Sequence, residues 1–353
     1  MQKIFSLKET DIYKLESPGL KNRYFILTGP GSRELLARPE VVGFPCYSSL
    51  LEETVAALLY LKSKGLGGEL DILTILRGGL NYPLEESCFQ AGIKVRDIHF
   101  LSCERIIEDH VISGLEIKYE KLRPTRDRVL AIGDIIASGA TLKTCLDHTV
   151  REFKRQGGSI RRLIFFTIGG TRAIELMEGM LASLRELFPG FEGIDCFFYE
   201  GVFTVYTDSG ETGINVPDID FYWKGGAVAP EFRSRVMETP DALLEKCIIY
   251  DGGARRYEIP LHIREVTEYW EGILGRAGMI DSKALVGEKL GYPEPLPYEE
   301  WRRVTGIPDG WRALWEKEQE LLSGAAGLDL KAVAGRRLSS MDVLKNLYQY
   351  GKE

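Results

Sequence analysis

No apolar run in this chain approaches the ~20 residues of a membrane-spanning helix, and its first residues hold no apolar signal-like region. No basic stripe is present either. The 353 residues carry 45 Lys and Arg against 52 Asp and Glu, a net charge of −7. The nearest basic clusters, Arg151 with Lys154 and Arg155 and then Arg161 with Arg162, read as a helix end and a strand start. That balance argues against a nucleic-acid partner, and the lack of a span against a membrane. The six cysteines, Cys46, Cys88, Cys103, Cys145, Cys196 and Cys247, form no Cys-x-x-Cys and sit mostly in apolar surroundings. They read as small buried residues in a reduced, cytoplasmic compartment. The four histidines, His99, His110, His148 and His262, lack metal-ligand spacing. There is no internal repeat and no low-complexity tract.

What is present is alternation. Residues 49–64 and 142–155 have apolar residues at helical spacing, and each ends at glycine. A strand-like run, 163–168, a helix, 171–187, and another strand, 194–199, follow. Short apolar runs alternating with amphipathic helices predict right-handed crossovers and an α/β fold with a parallel sheet flanked by helices. After about residue 207 the texture turns to Gly, Pro and aromatics with β-like runs such as Ile248-Ile249-Tyr250. From Ile263 on it is mainly helical, broken by Pro293, Pro295, Pro297 and Pro308. Trp270, Trp301, Trp311 and Trp315 cluster there and read as core or interface.

Two strand ends carry chemistry. Arg128 to Ile136 is an apolar run that ends around one acid, Asp134, and Ala137-Ser138-Gly139-Ala140-Thr141 then leads into a helix. Exposed N–H groups at a helix N-terminus attract phosphate, and an adjacent carboxylate suits sugar hydroxyls. Leu70 to Leu76 is a second buried-strand run, ending in Arg77-Gly78-Gly79 with Asn81 and Pro83 beyond. The glycines allow close backbone approach to a ligand, and the Arg supplies positive charge for an anion. Residues 102–127, between the two, are long, charged and weakly patterned, and read as a loop holding Arg105, Lys118, Tyr119 and Lys121.

The first segment resembles the 5-phosphoribosyl pyrophosphate (PRPP) motif of type I phosphoribosyltransferases, and the second resembles that family's pyrophosphate loop. Tyr119-Glu120-Lys121-Leu122 is similar to the aromatic-x-Lys-Leu of uracil phosphoribosyltransferases. The resemblance covers roughly residues 45–207 and departs at one place: Gly133 stands where the family has the first acid of its pair. It implies a type I phosphoribosyltransferase-like core over 46–207. Residues 1–45 and 208–262 are then candidates for a variable hood, and 263–353 form a helical C-terminal extension.

The resemblance also implies roles. Ala137, Ser138, Gly139, Ala140 and Thr141 would grip the 5′-phosphate, and Asp134 would bind ribose. Arg77, Gly78 and Gly79 would meet the pyrophosphate, with Mg2+ bridging its oxygens. Arg105, Lys118, Tyr119 and Lys121 would lie on a mobile loop, with Lys118 and Lys121 neutralising the pyrophosphate as it closes. Asp134, Arg77 and Lys121 are thus the expected catalytic residues. Ala137 stands where the hypoxanthine and guanine enzymes carry an Asp, which disfavours 6-oxopurine acceptors. The expected partners are PRPP and a small-molecule acceptor, in a homodimer. Two functions fit: a Mg2+-dependent transferase acting on a nucleobase-like or other nitrogen acceptor, or a non-catalytic PRPP- or nucleotide-binding regulator of the same fold.

Overall fold

The computed structural model describes residues 1–108, 111–206, 210–214, 220–245 and 252–348. Its strands are β1 (Gln2–Leu7), β2 (Thr10–Leu15), β3 (Arg23–Thr28), β4 (Glu69–Leu76) and β5 (Lys94–Glu108). The remaining strands are β6 (Val111–Lys121), β7 (Arg128–Ile136), β8 (Ile160–Gly170), β9 (Gly193–Tyr206) and β10 (Asp220–Val228). They form one sheet in the order β1-β2-β3-β9-β8-β7-β4-β5-β6, with β10 added on β9. The six strands from β3 to β5 in that order are parallel, and the outer pairs are antiparallel.

The first eight helices are α1 (Pro30–Ala37), α2 (Phe44–Ser48), α3 (Leu51–Ser63), α4 (Leu84–Gln90), α5 (Ala140–Arg155), α6 (Thr171–Leu187), α7 (Pro230–Val236) and α8 (Pro240–Leu243). They are followed by α9 (Gly252–Tyr257), α10 (Ile259–Arg276), α11 (Ser282–Leu290), α12 (Tyr298–Thr305), α13 (Arg312–Gly324) and α14 (Leu330–Leu347). The central strands are apolar on both sides because both sides are covered. Leu130, Ile132, Leu163 and Phe165 pack with α5 and α6, while Val129, Ala131, Ile164 and Phe166 join the opposite core. That second core continues through Trp270 and Trp301 to Leu344, so the C-terminal helices share it. The architecture is therefore an α/β parallel sheet flanked by helices, with a helical C-terminal region.

One expectation changes, and two regions take definite form. Residues 102–108 and 111–121 are not an irregular loop: β5 and β6 pair antiparallel, with Arg105 opposite Leu115 and Tyr119 opposite Ser102. β-branched residues (Ile106, Ile107, Val111, Ile112, Ile117) interleave with the charges and suit strands. Residues 1–45 extend the main sheet through β1 to β3, with β3 parallel to β9. Among the described residues, 208–262 hold one strand, β10, and then the short helices α7 to α9, since Pro230 and Pro240 sit in a first helical turn and start helices rather than break strands. The Ile248-Ile249-Tyr250 run lies outside the described residues. No helix of the described residues is long and apolar enough to cross a membrane.

One buried acid sets a pH dependence. Glu200, on β9 at φ 61, is fully buried. Its Oε1 accepts from Gly29 N at 3.0 Å, and it bonds the Ser32 hydroxyl, which also lies 3.3 Å from the buried Glu53. Burial pushes Glu200 from 4.5 up to about 8 and raises Glu53 as well. The folded chain therefore holds these protons more tightly than the unfolded chain does. The stability this contributes is complete below pH 4.5 and is lost as pH rises towards 8. Glu200→Gln should flatten the fall of the urea midpoint across that window, leaving the Glu53 share. A slope equal to that of the unaltered protein contradicts this assignment.

Candidate functional site

The phosphate-type loop is built by the end of β7 and the start of α5. Gly139 precedes the helix at φ 75, a left-handed conformation that favours glycine. No side chain caps the helix closely; Ser138 Oγ accepts from Ala140 N only at 3.5 Å. Ser138 and Ala140 are exposed, and Thr141 is half-buried. The first-turn N–H groups thus lack a close side-chain cap at the positive end of a helix of 16 residues.

The Arg-Gly-Gly loop follows β4, which lies beside β7 in the sheet. The Leu76–Arg77 peptide is cis, and Gly78–Asn81 forms a 3-10 turn closed by Asn81 Nδ2 donating to Gly78 O at 3.1 Å. A Cβ on Gly78 would stand 2.5 Å from Asp134 Oδ1, and one on Gly79 would stand 3.3 Å from Gly133 O. The second loop thus approaches Gly78 closely through the Asp134 carboxylate, and Gly79 is hemmed in first by Thr74 of β4, at 3.1 Å, and then by Gly133 O. Asp134 Oδ1 also accepts from Ile135 N at 2.9 Å, which turns the carboxylate back over its own strand end. The structure brings Gly78 and Gly79 against Asp134 and Gly133 at the end of β7, the strand that leads on to α5.

Gly133 has a steric reason. A Cβ there would lie 2.5 Å from both Cβ and Cγ of Tyr82. Tyr82 is buried, and its hydroxyl accepts from Ile168 N at 3.2 Å, so the ring is held in the place a first acid would need. Sequence reasoning missed this residue. Its only signal is an aromatic directly after the anion loop, and one sequence does not say which glycine it faces.

The hairpin residues stand differently from expectation. Lys118 pairs with Glu116 at 2.5 Å on its own strand, and Lys121 Nζ lies 5.5 Å from the ring centre of Phe100. Tyr119 is half exposed. Arg105 lies on β5 beyond its last pairing with β4, at Ser102. The lysines are thus engaged within the hairpin and are not bonded to either loop. Conversely, two C-terminal residues that the sequence did not single out touch the Arg-Gly-Gly loop: Arg77 Nη2 bonds Glu258, and Arg256 bonds Leu80 O. Among the described residues no group of three or more His, Cys, Asp or Glu could hold a metal. At the two loops the one side-chain carboxylate is Asp134, so the described residues there offer a divalent ion a single acidic ligand.

Adding a methyl at Gly133 should be costly wherever Tyr82 is intact. Gly133→Ala should destabilise the fold by about 1–3 kcal/mol through overpacking. The same change in a Tyr82→Gly chain, which lacks the Cβ as well as the ring, should cost much less, a coupling read from denaturant midpoints of the four proteins. Additive effects contradict the steric account.

No family model and no curated protein matches the chain. Solved structures do show similarity. The AQ2163 protein of Aquifex aeolicus is 16% identical over 53% of this chain and 85% of its own, at a TM-score of 0.33. A hypoxanthine phosphoribosyltransferase from Staphylococcus aureus is 16% identical over 33% of this chain, at 0.26. That match spans 64% of the staphylococcal protein. A purine phosphoribosyltransferase from Pyrococcus horikoshii is 12% identical over 42% of this chain and 82% of its own, at 0.24. These are partial likenesses, and none carries an activity or a substrate to this chain.

Proposed function

We propose that this chain is a cytoplasmic, Mg2+-dependent phosphoribosyltransferase that moves the 5-phosphoribosyl group of PRPP to a nitrogen acceptor and releases pyrophosphate. The observation that carries the reading is the meeting of the two loops, with Asp134 against Gly78 and Arg77 beside it. A ligand spanning them needs an anion at each end and hydroxyls between, which describes PRPP. Amides 138–141 and the Thr141 hydroxyl would hold the 5′-phosphate, and Asp134 would accept from ribose hydroxyls. Arg77 and the backbone of Gly78 and Gly79 would take the pyrophosphate.

In the reaction the bond from the anomeric carbon to the pyrophosphate oxygen breaks, and the electron pair leaves with pyrophosphate. A bond from the acceptor nitrogen forms at the same carbon. The protein's part is to position both groups and to stabilise charge on the leaving group. Mg2+ bound with the substrate would add charge neutralisation, with Asp134 as the protein carboxylate available to it. Lys118 and Lys121 reach the pyrophosphate only if the hairpin bends and they leave their present contacts. Alanine at 137 keeps 6-oxopurines disfavoured as acceptors.

The alternative, a PRPP- or nucleotide-binding regulator, draws on the tyrosine that fills the first acid's place. Incubation with PRPP, Mg2+ and a panel of nucleobases separates the two. Pyrophosphate release that depends on one acceptor supports the transferase, and tight binding without release supports the regulator.

Asp134→Asn should lower PRPP affinity or turnover at least about tenfold, roughly 1.4 kcal/mol. Full activity in that variant would place the ribose on another carboxylate. PRPP or a ribonucleoside monophosphate should raise the melting temperature, and Thr141→Val should shrink that shift. An undiminished shift counts against residues 137–141 as the phosphate site.

A further inference from the structure

The segment Gly252–Glu258 is a fixed wall of the Arg-Gly-Gly loop. Arg255 is buried to 1% exposure and donates to three backbone carbonyls: Val41 O at 3.0 Å, Leu35 O at 2.8 Å and Arg38 O at 2.6 Å. Leu35 and Arg38 end α1, where carbonyls lack helical partners and the helix dipole favours a cation. In return Gly43 N donates to Arg255 O at 2.8 Å. Next in sequence, Arg256 stacks 4.0 Å from the Tyr47 ring centre and bonds the carbonyl of Leu80 in the loop's 3-10 turn. With α9 pinned on both sides, Glu258 arrives at Arg77 as a carboxylate placed by the fold.

That placement puts an anion on the one cation of the loop. Arg77 and Glu258 are about half exposed, with side-chain accessibilities of 54% and 42%. An ion pair so open to water is weak and readily exchanged. A pyrophosphate group needs the same guanidinium and is repelled by the carboxylate. Holding Arg77 in place and competing for it therefore act in opposite directions, and in so exposed a pair the charge competition prevails.

We propose that Glu258 is a resident competitor, a carboxylate that occupies Arg77 in the empty site and must be displaced by an incoming pyrophosphate group. It weakens retention of that group and so favours release of the leaving pyrophosphate. This rests on the reading of residues 77–79 as the pyrophosphate subsite. Residues 252–258 thereby set the anion affinity of a loop 181 residues earlier in the chain.

Calorimetric titration of the full-length protein with magnesium pyrophosphate tests the proposal. Glu258→Gln should tighten binding about two- to fivefold, the scale of one exposed charge interaction, and the gain should shrink with added salt. In an Arg77→Ala background the same change should have much less effect. Thermal midpoints within error of one another would show that the fold is intact, and Glu258→Ala provides a second variant if Gln disturbs the start of α10. Unchanged or weaker binding in both Glu258 variants, with the unaltered protein binding normally, overturns the competition and leaves the transferase reading standing. If neither pyrophosphate nor PRPP binds any form, the subsite assignment falls and this proposal falls with it.

Discussion

The contact on which the site depends is the approach of the Asp134 carboxylate to the backbone of Gly78, where a Cβ would come within 2.5 Å of Oδ1. It arises because β4 and β7 are parallel neighbours, so the loops after them leave the same edge of the sheet. A side chain on Gly78 would push the loops apart, and a side chain on Gly133 would displace Tyr82. Close packing thus determines both what the site holds and what it lacks. The single acid follows from the buried tyrosine behind it.

The C-terminal helices are part of the same physical unit. Arg233 and Glu318 form a buried two-point pair at 2.8 Å, and Glu318 also accepts from Trp301 Nε1 at 2.8 Å and the Tyr292 hydroxyl at 2.6 Å. Arg337 joins Glu245, itself bonded by Trp270 Nε1, to Glu40 near the start of the chain. Removing one partner from such a buried network costs about 3–5 kcal/mol, because a charge is left uncompensated. α10, which carries Trp270, packs against α9 and so adjoins the wall that places Glu258 beside Arg77.

Much of this was legible in the sequence where periodicity was strong. The helix over 171–187 and the runs that became β4, β7 and β8 could be read directly, as could the order of the two loops. What escaped notice depended on distant partners. β1 and β2 mix charged and apolar residues, and the short apolar run of β3, Tyr24 to Leu27, is placed only by its pairing with β9. The β5–β6 hairpin was hidden because its charged residues mimic a solvated loop. Tyr82, Arg255 and Glu258 have no local pattern: their meaning lies in Gly133, in the end of α1 and in Arg77.

A crystal structure of the protein with PRPP and Mg2+ tests the central claim most directly. The account requires the 5′-phosphate on the backbone amides of residues 138–141, the ribose hydroxyls on Asp134 and the pyrophosphate against Arg77, Gly78 and Gly79. Density for the ligand elsewhere, or both loops empty at saturating PRPP, would contradict it.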